Sequence, residues 1–298
     1  MNHFSLTPYA QNEAWNQLLS MKNQLPQALL CIGPSGVGKR RSIRALFQAV
    51  NCQNTDADPC GKCSQCKKIA ENNHVDFTVI QAQGEQILID DLREMKKMLH
   101  FAPIDSKFRF ILIDEAHRLN TSSANSLLKI LEEPPSHTHF FLTTHERNLI
   151  LPTILSRSQF LYFAPLSPDA IQLLLEKMDL VIPKKHEHLL FELLSGGLAR
   201  AQWLLQEDTI LFLESCLALS ESKDQIASFA DKMASDEEKV QLMIDLFIIR
   251  SHQKLGTLKS EGFKKINDAY WYQNRLHRNA NKKLISYLVA DLFASIIA

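Results

Sequence analysis

The run Gly33, Pro34, Ser35, Gly36, Val37, Gly38, Lys39 has the composition and spacing of a loop that wraps phosphates. Its glycines let backbone N–H groups converge on an anion, and Lys39 sets an ammonium group beside the β- and γ-phosphates where a helix begins. The pattern G-x-x-x-x-G-K-[ST] is kept except at its last place, which holds Arg40. Arginine has no hydroxyl for Mg²⁺ and brings a fixed positive charge to the ion's position, so a defective Mg-ATP site without hydrolysis of its own is expected. Asp114 and Glu115 close an apolar run, where one acid could hold the Mg²⁺ water shell and the other polarise water. Beside Arg40 the pair is expected to end the strand or make local hydrogen bonds instead. Thr143 or Thr144, at the end of the next apolar run, could touch a γ-phosphate.

Cys52, Cys60, Cys63 and Cys66 form C-x₇-C-x₂-C-x₂-C, with Pro59 and Gly61 suited to a tight knuckle. Four soft thiolates satisfy tetrahedral Zn²⁺ and leave no position for water or substrate, so the site reads as structural. An iron–sulfur cluster and unmetallated thiols are the other readings. Cys31, in an apolar run, and Cys216, in a helical one, read as small buried hydrophobes.

The elements that must position these groups follow from periodicity. An apolar run at residues 29–32 enters the glycine loop, and Arg41 to Phe47 has helical spacing. Strands are expected over His74–Ile80, Phe108–Glu115, His139–Thr144 and Gln159–Phe163, and helices over Ile87–His100 and Thr121–Pro135. Strands alternating with helices at this spacing imply a parallel sheet covered on both faces. The pattern changes near Pro165: Ser167 and Pro168 read as N-cap and first helical residue, and Ser195, Gly196 and Gly197 break the run. Amphipathic helices are expected around 209–219, 222–233, 236–253, 261–278 and 281–296.

The 298 residues, 45% hydrophobic and 22% charged, suit one to three soluble domains. Residues 1–165 form the expected α/β domain, 166–206 a small helical domain and 207–298 a C-terminal helical domain. No membrane-spanning run or signal peptide is read, which makes a cytoplasmic location the expectation. A formal net charge of +0 gives no molecule-wide attraction to DNA, so any such contact needs a local patch or partners. Lys264, Lys265, Arg275, Arg278, Lys282 and Lys283 make the C-terminal end locally basic.

The glycine loop, the cysteine knuckle, Ile113–Leu119, Ala124–Pro135 and Leu155–Ser158 together resemble the clamp-loader proteins of the AAA+ class. The resemblance is strong over residues 25–165. It implies a AAA+ P-loop domain with a zinc insertion, a helical lid and a helical collar that holds a five-membered ring. Implied partners are the gamma/tau and delta subunits of DNA polymerase III, the beta sliding clamp and primer-template DNA. Motor subunits of this family require Ser or Thr where Arg40 stands, which favours the stationary, non-hydrolysing type of subunit. The family's Ser-Arg-Cys motif reads Ser156, Arg157, Ser158, and Arg157 is implied to act in trans at a neighbour's γ-phosphate. A second sensor arginine would follow Leu198 directly, but Ala199 stands there and Arg200 is displaced by one residue.

Overall fold

The computed structural model describes residues 12–54, 59–194, 197–218, 229, 236–253 and 288–290. The chain divides into two compact units, Met1–Asp179 with Ser195–Ala199, and Leu180–Leu194 with Arg200–Ala298.

The first unit is built on five parallel strands: β1 (Ala28–Ile32), β2 (Phe77–Ile80), β3 (Arg109–Ile113), β4 (Thr138–Thr144) and β5 (Gln159–Tyr162). Their order is β2-β3-β4-β1-β5. β1, β3 and β4 are buried along their whole length, around the apolar runs 28–32, 110–113 and 140–142, as a parallel sheet covered on both faces requires. One face packs Leu30, Ile111, Ile113, Phe140 and Leu142 against Leu92 and Met95 of α4 (Ile89–Leu99) and Leu127 of α5 (Thr121–Glu132). On the other face Phe47 of α2 (Lys39–Asn51) meets Phe110 at 4.7 Å between ring centroids, and Phe110 meets Phe141 at 4.4 Å. Helix α1 (Asn12–Ser20) packs beside α2.

Several boundaries move inward for identifiable reasons. α4 starts two residues later than periodicity suggests because Ile87 pairs with Leu119 and its N–H donates to the Arg118 carbonyl at 2.9 Å. Asp91 then caps the helix, its Oδ2 accepting from the Leu88 N–H at 3.0 Å. β2 starts at Phe77 because the Asp76 N–H donates to His74 Nδ1 at 3.1 Å. α5 ends at Glu132 since Glu133, preceding Pro134, leaves the helical region at ψ 71. α3 (Ser64–Ala70), within the cysteine-rich segment, has no counterpart in the periodicity reading. A short helix α6 (Pro152–Leu155) precedes β5, and α7 (Pro168–Glu176) begins as expected, with the Ser167 hydroxyl accepting from the Ala170 N–H at 3.2 Å.

The second unit is helical where described: α8 (Glu187–Leu194), α9 (Ala201–Leu204), α10 (Glu207–Leu217) and α11 (Glu237–Gln253). α8 packs on α11, and Leu190 and Leu193 of the first and Leu242, Leu246 and Phe247 of the second are buried. The helices expected over 222–233, 261–278 and 281–296 lie outside the described residues, except 229 and 288–290, which are helical. Lys264, Lys265, Arg275, Arg278, Lys282, Lys283, Ser195 and Gly196 lie outside them as well. Among the described residues no helix is long and apolar enough to cross a membrane.

Candidate phosphate loop, cysteine cluster and trans arginine

β1, β3 and β4 lie side by side in register, Ile32 opposite Thr144 and Ile113 opposite Leu142, so whatever follows their C-terminal ends must meet. The glycine loop follows β1, Asp114 and Glu115 follow β3, and Thr143 and Thr144 finish β4. This is where open α/β sheets bind ligands. A cleft of about 260 Å³ is lined there by Ser35, Gly36, Gly38, Lys39, Arg40, Asp114, Glu115, Thr143 and Thr144.

Gly38 precedes α2 with φ 101, and Gly36 has φ 77. A Cβ on Gly36 would overlap the backbone of Leu198 and Ala199, and the Leu198 N–H donates to the Gly36 carbonyl at 3.2 Å. Val37 is buried. Lys39 Nζ donates to the Gly33 and Pro34 carbonyls, both at 2.7 Å, so the ammonium is held by its own loop. Burial lowers the Lys39 pKa, with Asp114, Cys31 and Glu115 acting against that shift. Burial also pushes the Cys31 thiol up to about 12, and Cys216 is raised by burial too, so both are inert thiols of the core.

Arg40 turns into the cleft. Its Nη1 lies 2.9 Å from Gln81 Oε1 and 3.4 Å from Asp114 Oδ2. The carboxylate that would organise a metal's water shell is already paired with a guanidinium. These residues do not fit Mg²⁺: the hydroxyl ligand is missing and a cation sits beside the acid. Thr143 Oγ1 donates to Asp114 Oδ1 at 2.6 Å and accepts from the Glu115 N–H at 2.9 Å. Glu115 is held at φ 53, ψ 55, a left-handed conformation rare outside glycine, and it caps the 3₁₀ turn Ala116–Arg118. Thr144 Oγ1 contacts His117 Nδ1 at 3.2 Å and accepts from the Glu146 N–H at 3.0 Å. His117 and His145 therefore belong to this site, although neither was singled out from sequence. The signal was a histidine just after each acid-ended or threonine-ended strand.

Cys52, Cys60, Cys63 and Cys66 bring their Sγ atoms within 4.8 Å of one another, and none forms a disulfide. The Cys60, Cys63 and Cys66 N–H groups donate to the Sγ of Cys52, Cys60 and Cys63 respectively, each at 3.4 Å. Backbone donation, from Lys62 and then Cys63, pulls the Cys60 thiol down to about 6. This donor set can form a structural zinc site. The cluster is tied to the sheet domain: Gln48 Nε2 donates to the Cys66 carbonyl at 2.9 Å, and Lys68 pairs with Asp105 at 2.6 Å.

Arg157 lies apart from the glycine loop, between α6 and β5. Its Nη2 pairs with Glu132 Oε1 at 2.7 Å, and its Nη1 donates to the Thr153 carbonyl at 3.1 Å and lies 3.3 Å from Ser156 Oγ. Ser158 Oγ donates to the Ile154 carbonyl at 2.9 Å. In the second unit, Arg200 pairs with Asp245 at 2.7 Å and its guanidinium lies 5.0 Å from the Trp203 ring centroid.

The sheet, the glycine loop and the cysteine insertion define an α/β protein of the AAA+-like class. The family described as "DNA polymerase III, delta subunit" matches residues 10–167, and the chain belongs to that family, within the bacterial DNA polymerase III clamp-loader group. DNA polymerase III subunit gamma/tau of Mycobacterium tuberculosis is 38% identical over 157 residues, which cover 52% of this chain and 27% of that one. DNA polymerase III subunit tau of Bacillus subtilis is 32% identical over 237 residues, covering 74% of this chain and 42% of the relative. The chain thus spans well under half the length of these curated relatives. A solved DNA polymerase III gamma subunit-related protein from Thermotoga maritima shares the fold, with a TM-score of 0.55 at 18% identity over 96% of this chain and 100% of that one.

Proposed function

We propose that this chain is the delta-prime, stator-type subunit of a bacterial clamp loader. In this reading it assembles with gamma/tau and delta subunits in the cytoplasm, loads the beta sliding clamp on primed DNA with them, and turns over no ATP itself. The observation that carries it is the Arg40 guanidinium 3.4 Å from Asp114, borne by the residue after Lys39 at which the phosphate-loop pattern has the metal's hydroxyl ligand. Arg157 is the residue proposed to act on a neighbour: a guanidinium offers paired donors to charge developing on a γ-phosphate, provided it exchanges Glu132 for that phosphate. The Cys₄ cluster is proposed to hold one structural Zn²⁺. Residues 1–165, 166–206 and 207–298 are the proposed AAA+, lid and collar domains.

A second reading, an ATP-hydrolysing gamma/tau-like subunit, draws its support from the relatives. Those reported above carry gamma or tau names, and on names alone they support this reading better than the first. Reconstitution with motor subunits, delta and the clamp separates the two. A stator gives no phosphate release from the purified chain, and in the complex Lys39→Ala leaves DNA-stimulated turnover nearly intact while Arg157→Ala lowers it. Lys39-dependent turnover by the isolated chain would establish the second reading.

A further inference from the structure

Glu115, His117 and His145 bring a carboxylate oxygen and two imidazole nitrogens within 4.8 Å of one another, away from the cysteine cluster. The grouping is imposed by the sheet. β3 and β4 are neighbours, Glu115 and His117 follow β3, and His145 follows β4. The left-handed backbone at Glu115 starts the 3₁₀ turn that carries His117, closed by the Arg118 N–H donating to the Glu115 carbonyl at 2.8 Å. The two imidazoles lie edge to face with centroids 4.4 Å apart. Thr144 Oγ1 lies 3.2 Å from Nδ1 of His117, and in the tautomer that carries its proton on Nδ1 the lone pair of that ring falls on Nε2. Fixing a histidine's second nitrogen in this way is a recurrent feature of metal-ligating histidines.

Two neighbours compete for the same groups. Arg118 Nε lies 3.2 Å from Glu115 Oε2, and His145 Nε2 lies 3.2 Å from Glu146 Oε1. Both are surface pairs, with side-chain exposures of 41%/38% and 34%/47%, and such pairs are weak enough for a divalent ion to displace. Two imidazoles and one carboxylate suit borderline ions such as Zn²⁺ or Co²⁺ and are a poor set for Mg²⁺, which demands oxygen ligands.

We infer that Glu115, His117 and His145 form a second metal site, separate from the four cysteines, that takes a divalent transition ion of the Zn²⁺ class. Three protein ligands leave a coordination position for water or an anion. Because Glu115 and His145 also line the glycine-loop cleft, an ion held here adds positive charge to that cleft. The site does not rest on the stator assignment.

The test titrates the full-length chain, purified with its cysteine cluster filled, with Zn²⁺ alone and then with Co²⁺ alone. Two ions per chain are expected at saturation by elemental analysis after equilibrium dialysis. The second Co²⁺ should show weak visible bands without the intense near-ultraviolet thiolate absorption of a cysteine site. His145→Ala, at an exposed position, and Glu115→Gln should each weaken the second ion at least tenfold while keeping the first, and Cys63→Ser should do the reverse. A single ion per chain in the wild-type protein overturns the inference. So does a second ion whose affinity is unchanged in both His145→Ala and Glu115→Gln.

Discussion

The Arg40 guanidinium lies 3.4 Å from the Asp114 carboxylate, two residues 74 positions apart in the chain that meet at the mouth of the glycine loop. The pair is partly exposed, at 39% and 21%, so its worth to folding is about 0–1 kcal/mol. In the proposed reading its larger effect is on chemistry. Arg40→Thr restores a hydroxyl and frees Asp114, and Mg²⁺-dependent ATP affinity should rise by about tenfold or more, equivalent to about 1.4 kcal/mol. Calorimetry with and without Mg²⁺ measures it, and tight Mg²⁺-dependent binding by the unaltered protein would contradict the stated role of Arg40.

Removing one zinc ligand should unfasten the cysteine module. Cys63 both belongs to the tetrad and caps α3, its Sγ accepting from the Cys66 N–H. Cys63→Ser is expected to lower zinc content from one ion at the cluster toward none and to reduce thermal stability, as chelator treatment of the wild-type chain should. Elemental analysis and a melting curve suffice. Fully folded protein with no zinc at the cluster would reject the metal assignment.

Arg157→Ala separates a trans role from a local one. Its ion pair with Glu132 is a surface contact, so the isolated chain should lose only about 0.2–1 kcal/mol. In a reconstituted complex the expected loss is in DNA-and-clamp-stimulated ATP turnover, with assembly retained. Arginine fingers reach about 10³ to 10⁵ in GTPases, and one site among several gives a smaller drop. Normal assembly with full turnover and clamp loading would remove Arg157 from the mechanism.

Asp76 is a buried hub whose loss should be costly. Its carboxylate accepts from the Ile104 and Asp105 N–H groups at 2.9 and 2.7 Å and from Ser106 Oγ at 3.0 Å, and lies 3.6 Å from Arg109. Arg109 is 3% exposed and Asp76 0%, so Asp76→Ala removes the counter-ion of a buried guanidinium that still donates to the Met98, Phe101 and Ala102 carbonyls. The expected destabilisation is about 3–5 kcal/mol by urea denaturation. A loss below about 1 kcal/mol would show that this network is not what anchors the 101–109 segment.

Acid should weaken the first unit through two buried histidines. Burial is the main cause that holds both His74 and His139 below the ordinary 6.5, opposed at His74 by Asp76 and Asp105 and at His139 by the Pro26 carbonyl. Neutral His74 is satisfied on both nitrogens, with Nδ1 accepting from the Asp76 N–H and Nε2 donating to Gln65 Oε1, and a proton on Nδ1 breaks the first of these. The unfolded chain binds more protons below 6.5, so this contribution is present above that pH and is lost as pH falls through the folded values. The urea midpoint should fall between about pH 7.5 and pH 5.5, and His139→Asn should flatten the slope. An unchanged slope in that variant would assign the acid sensitivity elsewhere.

The sequence by itself determined the features whose cause is local. Glycine spacing and Lys39 define the glycine loop, two-residue gaps let Cys60, Cys63 and Cys66 turn to one centre, and continuous apolar runs at 29–32 and 110–113 require a sheet covered on both faces. Arg40 could be read as the missing hydroxyl, because that depends on residue type alone. What Arg40 does was decided by the parallel register, which sets Asp114 beside it from another strand. The same register gathers Glu115, His117 and His145, and no spacing rule links residues that follow two different strands. α3 escaped the periodicity reading because it is short and polar, and its order comes from the Cys63 cap and from Gln48 reaching the Cys66 carbonyl. Asp76 looked like one more polar residue in a strand. Only the packed structure, by burying it against Arg109 and three donors, turned it into a point on which stability depends.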